Sequence, residues 1–137
     1  MKPGRVLVAD RHRNMLEGIR DLLETMFPVV VMVTDDESLF ESVDMFNPGL
    51  AVVDLSLPVS KDGNIARRLK SRNPELKVIL LSVYDEPAVV KEALASGAVG
   101  FVLKRSVATD LIPAVREVLQ GRTYVSPAVR DHEGRTP

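Results

Sequence analysis

Four polar side chains in this sequence stand directly after short apolar runs, and their residue types could do chemistry together. Asp54 follows the run at 50–53, and Asp10 has the same position after the run at 6–9. Ser82 and Lys104 follow two further runs. A lone aspartate after a strand is more often a helix cap than a site. Two acids, a hydroxyl and a lysine in equivalent positions are harder to explain as caps, and they indicate one polar site.

The elements that must position these residues alternate along the chain. Short apolar runs predict strands at 6–9, 29–33, 50–53, 78–81 and 99–103, and amphipathic helical segments separate and follow them. Such alternation predicts an α/β fold with a doubly wound, five-stranded parallel sheet, a three-layer αβα sandwich. Ligands and chemistry collect where the strands of such a sheet end, so the four polar residues should converge on one rim.

Caps and prolines set the expected helix boundaries. Asp35 or Asp36 is a candidate N-cap for the second helix, and Gly97 is a candidate stop for the fourth. Pro113 conflicts with the pattern of the last helix, because an interior proline costs about 3 kcal/mol. We therefore expect that helix either to start late, with Asp110 as its N-cap, or to kink.

Length and composition limit the possible functions. A chain of 137 residues with 45% hydrophobic residues has room for one domain, predicted at 1–121, followed by a polar tail at 122–137 in which Tyr124 and Val125 could dock. The net charge of -1 gives no overall field that would attract nucleic acid. The sequence has no cysteine, no apolar run near the roughly 20 residues that span a bilayer, and no signal peptide. A cytoplasmic protein without membrane contact is expected.

Several separated motifs resemble the response-regulator receiver domains of two-component signalling, which have the flavodoxin-like fold. The matching segments are VLVAD at 6–10, VVDLSLP at 52–58, LLS at 80–82 and GAVGFVLK at 97–104. The pairs at 17–18 and 97–98 and the segment 121–127 are similar to the NarL/FixJ subgroup, whose receivers are usually joined to a DNA-binding domain. The resemblance covers about residues 5–121, and it makes the tail a candidate start of a linker to an output domain.

The resemblance implies a phosphoryl switch rather than an enzyme. Asp54 would accept a phosphoryl group from a sensor histidine kinase or a phosphotransfer protein. Lys104 would pair with a phosphoryl oxygen, and the Ser82 hydroxyl would move to bond another. Phe101 matches the aromatic switch position, although an ordinary core phenylalanine explains it equally well. The last two helices and the fifth strand would form the output face and a possible homodimer contact.

One departure from the family bears on its usual Mg²⁺ ion. The family has two adjacent acids after the first strand, whereas this chain has Asp10 and Arg11. With Asp54 and Lys104 the formal charges of the rim sum to zero, and a guanidinium repels Mg²⁺ while supplying no ligand. We therefore predict weak or absent Mg²⁺ binding if Arg11 points inward. If Arg11 instead points to solvent, Asp10, Asp54 and the Ser56 carbonyl remain as a poor but usable site.

Two further positions match residues that tune dephosphorylation in the family. They are Ser56 and Tyr84, each two residues beyond a site residue, and Tyr84 is bulky enough to shield an acyl phosphate from water.

Other classes of function fit the sequence less well. A haloacid-dehalogenase phosphatase would need an acid at position 56, and a flavodoxin-like cofactor binder would need a glycine-rich turn after the first strand. The two histidines, His12 and His132, are too few and too far apart in sequence to indicate a metal site. No helix-turn-helix pattern suggests direct contact with nucleic acid. The remaining alternative is a receiver-like interaction module that works without phosphorylation.

Overall fold

Six parallel strands form one sheet in the order β2-β1-β3-β4-β5-β6. The computed structural model of the chain describes residues 2–58 and 64–129. The strands are β1 (Lys2–Ala9), β2 (Val29–Val33), β3 (Pro48–Asp54), β4 (Lys77–Ser82), β5 (Gly100–Leu103) and β6 (Tyr124–Val125). The helices are α1 (Arg13–Leu23), α2 (Asp36–Phe46), α3 (Ile65–Arg72), α4 (Pro87–Ala95) and α5 (Val107–Leu119).

The core is divided into two apolar clusters by the sheet, because successive strand residues point to opposite faces. One cluster joins strand residues to α1 and α5, through side chains such as Leu16 and Leu111. The other joins the alternate strand residues to α2, α3 and α4, through side chains such as Leu39, Leu69 and Val90. Helices thus cover both faces, which confirms the predicted αβα sandwich.

Side-chain caps fix where two of the helices begin. Asp35, one of the two predicted caps, accepts a hydrogen bond from the backbone N–H of Ser38 at 2.8 Å. Asn64 accepts from the N–H of Ala66 at 2.9 Å at the start of α3. Its amide also donates to the Ser96 hydroxyl at 2.8 Å, which ties the start of α3 to the end of α4.

The predicted strand count was wrong, since the sheet has a sixth strand after α5. Tyr124 donates its N–H to the Val99 carbonyl, and Ser126 donates its N–H to the Phe101 carbonyl. The buried Ser126 hydroxyl accepts the Leu103 N–H at 3.0 Å. These bonds complete the edge of β5, and β6 is too short to show any periodic pattern in sequence. Residues 130–137 of the predicted tail lie outside the described residues.

Of the two alternatives predicted for the last helix, a late start or a kink, the structure excludes the late start. α5 begins at Val107 and contains Pro113 in its interior. Pro113 cannot donate to the carbonyl of Thr109, but both residues are exposed, so water can hydrogen bond to that carbonyl instead. None of the helices in the described parts of the chain has the length and apolar character needed to cross a membrane.

Gly100 allows β4 and β5 to pack closely. It pairs with Ile79, and a Cβ atom on Gly100 would lie only 2.7 Å from Ile79 Cγ1 and 3.3 Å from Ile79 Cβ. Both residues are buried, Ile79 in the strand that ends at Ser82 and Gly100 in the strand that Lys104 follows. The close packing of these strands therefore requires glycine at position 100.

We predict opposite effects of the same substitution at two glycines. Gly100→Ala should destabilise the fold by about 1–3 kcal/mol, because Ile79 must move in a packed core. Gly18→Ala is the matched control, since Gly18 lies in α1 with no atom within 4 Å of an added Cβ. It should be neutral or stabilise by up to about 1 kcal/mol through helix propensity. Urea unfolding of the two variants measures both values, and equal destabilisation would contradict the packing argument.

Candidate functional site

The four polar residues stand at the carboxyl ends of β1, β3, β4 and β5. Asp54 and Ser82 are the last residues of their strands, while Asp10 and Lys104 directly follow theirs. The structure brings three of them into contact, since Lys104 Nζ lies 2.9 Å from Asp10 Oδ2 and 3.1 Å from Asp54 Oδ1. One ammonium group thus bridges two carboxylates.

All three bridged groups are largely removed from solvent. The Asp10 and Asp54 side chains are 0% and 1% exposed, and the Lys104 side chain is 9% exposed. Burial of ionised groups is costly unless opposite charges and hydrogen bonds compensate them. The formal charge of this cluster is -1 - 1 + 1 = -1, so one negative charge remains uncompensated by Lys104.

The two oxygens of Asp54 have different surroundings. Oδ1 accepts hydrogen bonds from the Ser56 N–H at 2.9 Å and the Ser56 hydroxyl at 2.8 Å, and it also faces Lys104. Oδ2 is buried and accepts no hydrogen bond from any described residue. Oδ1 is therefore held in place, while no described donor engages the lone pairs of Oδ2.

Asp10 is fixed by the loop that follows it as well as by Lys104. Its Oδ1 accepts the backbone N–H of His12 at 2.8 Å, and the His12 ring Nδ1 lies 3.3 Å from the same oxygen. The His12 side chain is 60% exposed, so the ring lies at the solvent edge of the buried cluster.

Arg11 lies outside this cluster. Its side chain is exposed, and within the described ranges it forms no ion pair with Asp10 or Asp54. The cation that the structure places between the two carboxylates is Lys104. The sequence left open whether Arg11 points inward or to solvent, and the structure shows that it points to solvent.

Ser82 is held by the loop that follows β4. Its hydroxyl donates to the Tyr84 carbonyl at 3.0 Å and accepts the Tyr84 N–H at 2.8 Å. Ser82 is 2% exposed, whereas Tyr84 is 55% exposed. The Ser82 hydroxyl thus forms its hydrogen bonds with the backbone of the loop that follows β4. Within the described ranges it forms no hydrogen bond with Asp54.

Phe101 is completely buried in the apolar cluster on the α2–α4 side of the sheet. Its carbonyl accepts the Ser126 N–H at 2.9 Å, so the segment after α5 is attached beside it. This burial is compatible with a core role and with an inward-turned switch side chain.

Asp10, His12 and Asp54 could hold a metal ion, because one ligand atom from each lies within 4.8 Å of the others. The buried Asp54 Oδ2, which has no hydrogen-bond partner among the described residues, makes the site suitable for a cation. His12 is not among the predicted site residues, because two histidines that are far apart in sequence do not by themselves indicate a metal site. The signal that could have found it is its place two residues after Asp10, in the loop leaving a strand of the rim.

Comparisons with known proteins agree with this architecture. Residues 6–116 match the family profile of the response regulator receiver domain. The transcriptional regulatory protein DegU of Brevibacillus brevis is 35% identical over 127 residues, which are 91% of this chain and 54% of DegU. The probable transcriptional regulatory protein NarL of Mycobacterium tuberculosis is 33% identical over 91% of this chain and 59% of its own length.

Solved structures of RcsB from Salmonella have the same fold. One RcsB response regulator superposes with a TM-score of 0.87 at 29% identity, covering 96% of this chain and 67% of RcsB. The isolated REC domain of RcsB, solved with the phosphomimetic BeF₃⁻, gives a TM-score of 0.84 at 27% identity, with 95% of this chain and 98% of that domain covered.

The chain belongs to the response regulator receiver family, and its curated relatives are NarL- and DegU-type regulators. It is a receiver domain of the two-component response-regulator type, as the motifs indicated. The chain spans little more than half the length of the relatives it matches.

We predict that Lys104 contributes far more to stability than its neighbour Arg105. Lys104→Met would leave two buried carboxylates without their shared cation and should cost about 3 kcal/mol. Arg105→Met is the control, because Arg105 pairs with Asp85 at 3.1 Å with side chains that are 56% and 39% exposed, and such solvent-accessible pairs contribute at most about 1 kcal/mol. Chemical denaturation checks the difference, and similar losses in the two variants would contradict the bridging role of Lys104.

Proposed function

We propose that this domain is a phosphoacceptor, modified on Asp54 by a sensor histidine kinase or a phosphotransfer protein. The observation that carries the proposal is the asymmetry of Asp54: Oδ1 is held by Ser56 and Lys104, while Oδ2 is buried and accepts no hydrogen bond from the part of the chain that the structure describes. A nucleophilic carboxylate reacts through an oxygen lone pair, and Oδ2 has lone pairs that no described donor engages.

In the proposed step, Asp54 Oδ2 attacks the phosphorus of a phosphohistidine. An O–P bond forms, the P–N bond breaks, and its electron pair remains on the histidine nitrogen of the donor. Both the carboxylate and the phosphoryl group are anionic, so the main requirement is a cation placed beforehand. The Lys104 ammonium supplies that charge at 3.1 Å from Asp54 Oδ1.

The response of the domain would begin at Ser82. To bond a phosphoryl oxygen, its hydroxyl must leave the backbone of Tyr84, which it contacts at 2.8 and 3.0 Å. The loss of these hydrogen bonds would alter the conformation of the loop after β4. The side chain of Phe101, in the adjacent strand β5, would then shift and change the surface at α4 and α5. The surface formed by α4, β5 and α5 is the proposed output face and homodimer contact.

Ser56 and Tyr84 are proposed to set the lifetime of the phosphoryl group. Ser56 donates two hydrogen bonds to Asp54 Oδ1, so its substitution would loosen the acceptor. Tyr84 is exposed beside Ser82, where its ring could limit the access of water. No catalytic turnover is proposed, and direct contact of this chain with nucleic acid or membrane is not part of the proposal.

Mg²⁺ is proposed to bind weakly. Asp10, Asp54 and the Ser56 carbonyl would hold it, and bound there it would add positive charge for the incoming phosphoryl group. Arg11 stands where the family usually has an acidic residue, whose carboxylate supplies an oxygen ligand to Mg²⁺. Even as an exposed side chain, it removes one ligand and adds a positive charge near the rim.

One observation favours the second candidate, a module that interacts without phosphorylation. Lys104 already pairs with both carboxylates in the structure, and this pairing could keep the rim in a single state. The two candidates differ in whether Asp54 reacts.

We predict that incubation with acetyl phosphate adds one phosphoryl mass to the wild-type chain and none to Asp54→Asn. Asp85→Asn is the matched control, because the half-buried Asp85 pairs with Arg105 and, within the described ranges, forms no ion pair with Lys104, so this variant should react like wild type. Intact-mass spectrometry measures the result. An unmodified wild-type chain would favour the second candidate, and modification of Asp54→Asn would place the acceptor elsewhere.

We also predict that Arg11→Asp strengthens Mg²⁺ binding by about tenfold or more, because it restores an oxygen ligand and reverses a charge at the rim. Arg13→Asp makes the same change of charge at an exposed position in the first turn of α1 and should have a much smaller effect. Amide chemical shifts followed during Mg²⁺ titration give both affinities. If Mg²⁺ affinity rose equally in the two variants, the effect at position 11 would come from the change of net charge and not from a new ligand. Tight Mg²⁺ binding by the wild-type chain would contradict the proposal.

A further inference from the structure

The ring of His12 stands at the distance from Asp10 that two ligands of one cation require. His12 Nδ1 and Asp10 Oδ1 are 3.3 Å apart. Adjacent ligands around an octahedral ion, each about 2.1 Å from it, are about 3 Å apart. Ligand atoms of Asp10, His12 and Asp54 all lie within 4.8 Å of one another, so small movements would bring the three onto one ion.

A second, independent observation comes from Asp54. Its Oδ2 is buried, belongs to a side chain that is 1% exposed, and has no hydrogen-bond donor among the described residues. A buried carboxylate oxygen without a partner is unusual, and it calls for an explanation such as an ion.

Lys104 pairs with one oxygen of each carboxylate, which leaves the other oxygen of each to face a cation. The ammonium contacts Asp10 Oδ2 and Asp54 Oδ1. The other two oxygens are Asp10 Oδ1, which accepts the His12 N–H at 2.8 Å and lies 3.3 Å from the His12 ring Nδ1, and Asp54 Oδ2, which accepts no hydrogen bond from the described residues. A cation could therefore use one oxygen from each carboxylate while Lys104 keeps the other, and the cluster charge of -1 favours its binding.

The donor atoms determine which cation this would be. Mg²⁺ prefers oxygen ligands alone, whereas imidazole nitrogen favours first-row transition metals, with affinity rising from Mn²⁺ towards Cu²⁺. Arg11 occupies the position from which the family offers an oxygen, and His12 offers a nitrogen one residue later. We infer that His12 replaces the missing acid as the third protein ligand and makes the rim of this receiver select Mn²⁺ and later divalent transition ions over Mg²⁺. The inference deepens the proposed function and rests on it for the cation's role in phosphorylation, although binding itself does not require phosphorylation.

The test uses Mn²⁺ alone as the probe, in the absence of any phosphodonor. Pulsed electron paramagnetic resonance of Mn²⁺ bound to the wild-type chain should show coupling to one imidazole nitrogen. His12→Ala should remove this coupling and weaken Mn²⁺ binding in calorimetry by roughly tenfold, while changing Mg²⁺ affinity little. His132→Ala removes the other histidine of the chain and should keep both the coupling and the affinity.

Two results would overturn the inference: Mn²⁺ bound to wild type without nitrogen coupling, or coupling that persists in His12→Ala. His12 is exposed, so the variant should fold, and its thermal unfolding verifies this. Treatment with acetyl phosphate is a separate experiment that distinguishes the two proposals. Phosphorylation of Asp54 without nitrogen coupling rejects only the metal inference, and coupling without phosphorylation rejects only the phosphoacceptor function.

Discussion

The structure depends on one ammonium group, Lys104 Nζ, which lies within 3.1 Å of oxygens from two almost fully buried carboxylates. Two carboxylates this close repel each other, and removing them from water adds a desolvation cost that neither could offset alone. The lysine ammonium offsets part of this repulsion and desolvation cost, but one negative charge of the two carboxylates remains uncompensated. A site that keeps one uncompensated charge, and a carboxylate oxygen with no hydrogen-bond partner in the described ranges, is suited to gaining a cation or a phosphoryl group.

The sheet makes this arrangement possible. Parallel pairing aligns Ala9 with Val53 and Ser82 with Leu103, so the residues at or just after those strand ends reach the same rim. Helices on both faces leave the rim as the accessible edge of the polar cluster. The tight packing at Gly100 brings the strand carrying Lys104 close to the strand carrying Ser82. Apolar packing thus holds charged groups in positions that they would not adopt by themselves.

Much of this was predictable from the sequence, because a buried parallel strand is a short apolar run and its end is marked by the first polar residue. Asp54 and Ser82 are found at strand ends by that rule. The strand at Tyr124 and Val125 was not predictable, since two residues have no period and their pairing depends on the edge of β5. The direction of Arg11 was also undetermined, because a loop side chain next to a charged cluster can turn either way. His12 was missed because its proximity to Asp10 arises from the loop conformation.

A double-mutant cycle on Lys104 and Asp54 tests the central claim most directly. The unfolding free energies of Lys104→Met, Asp54→Asn and the double variant give the coupling between the two side chains. The bridging arrangement predicts a favourable coupling of about 1–3 kcal/mol, because the second substitution removes a charge that the first has left unpaired. A coupling near zero would mean that the ammonium does not hold the acceptor carboxylate and would contradict the account.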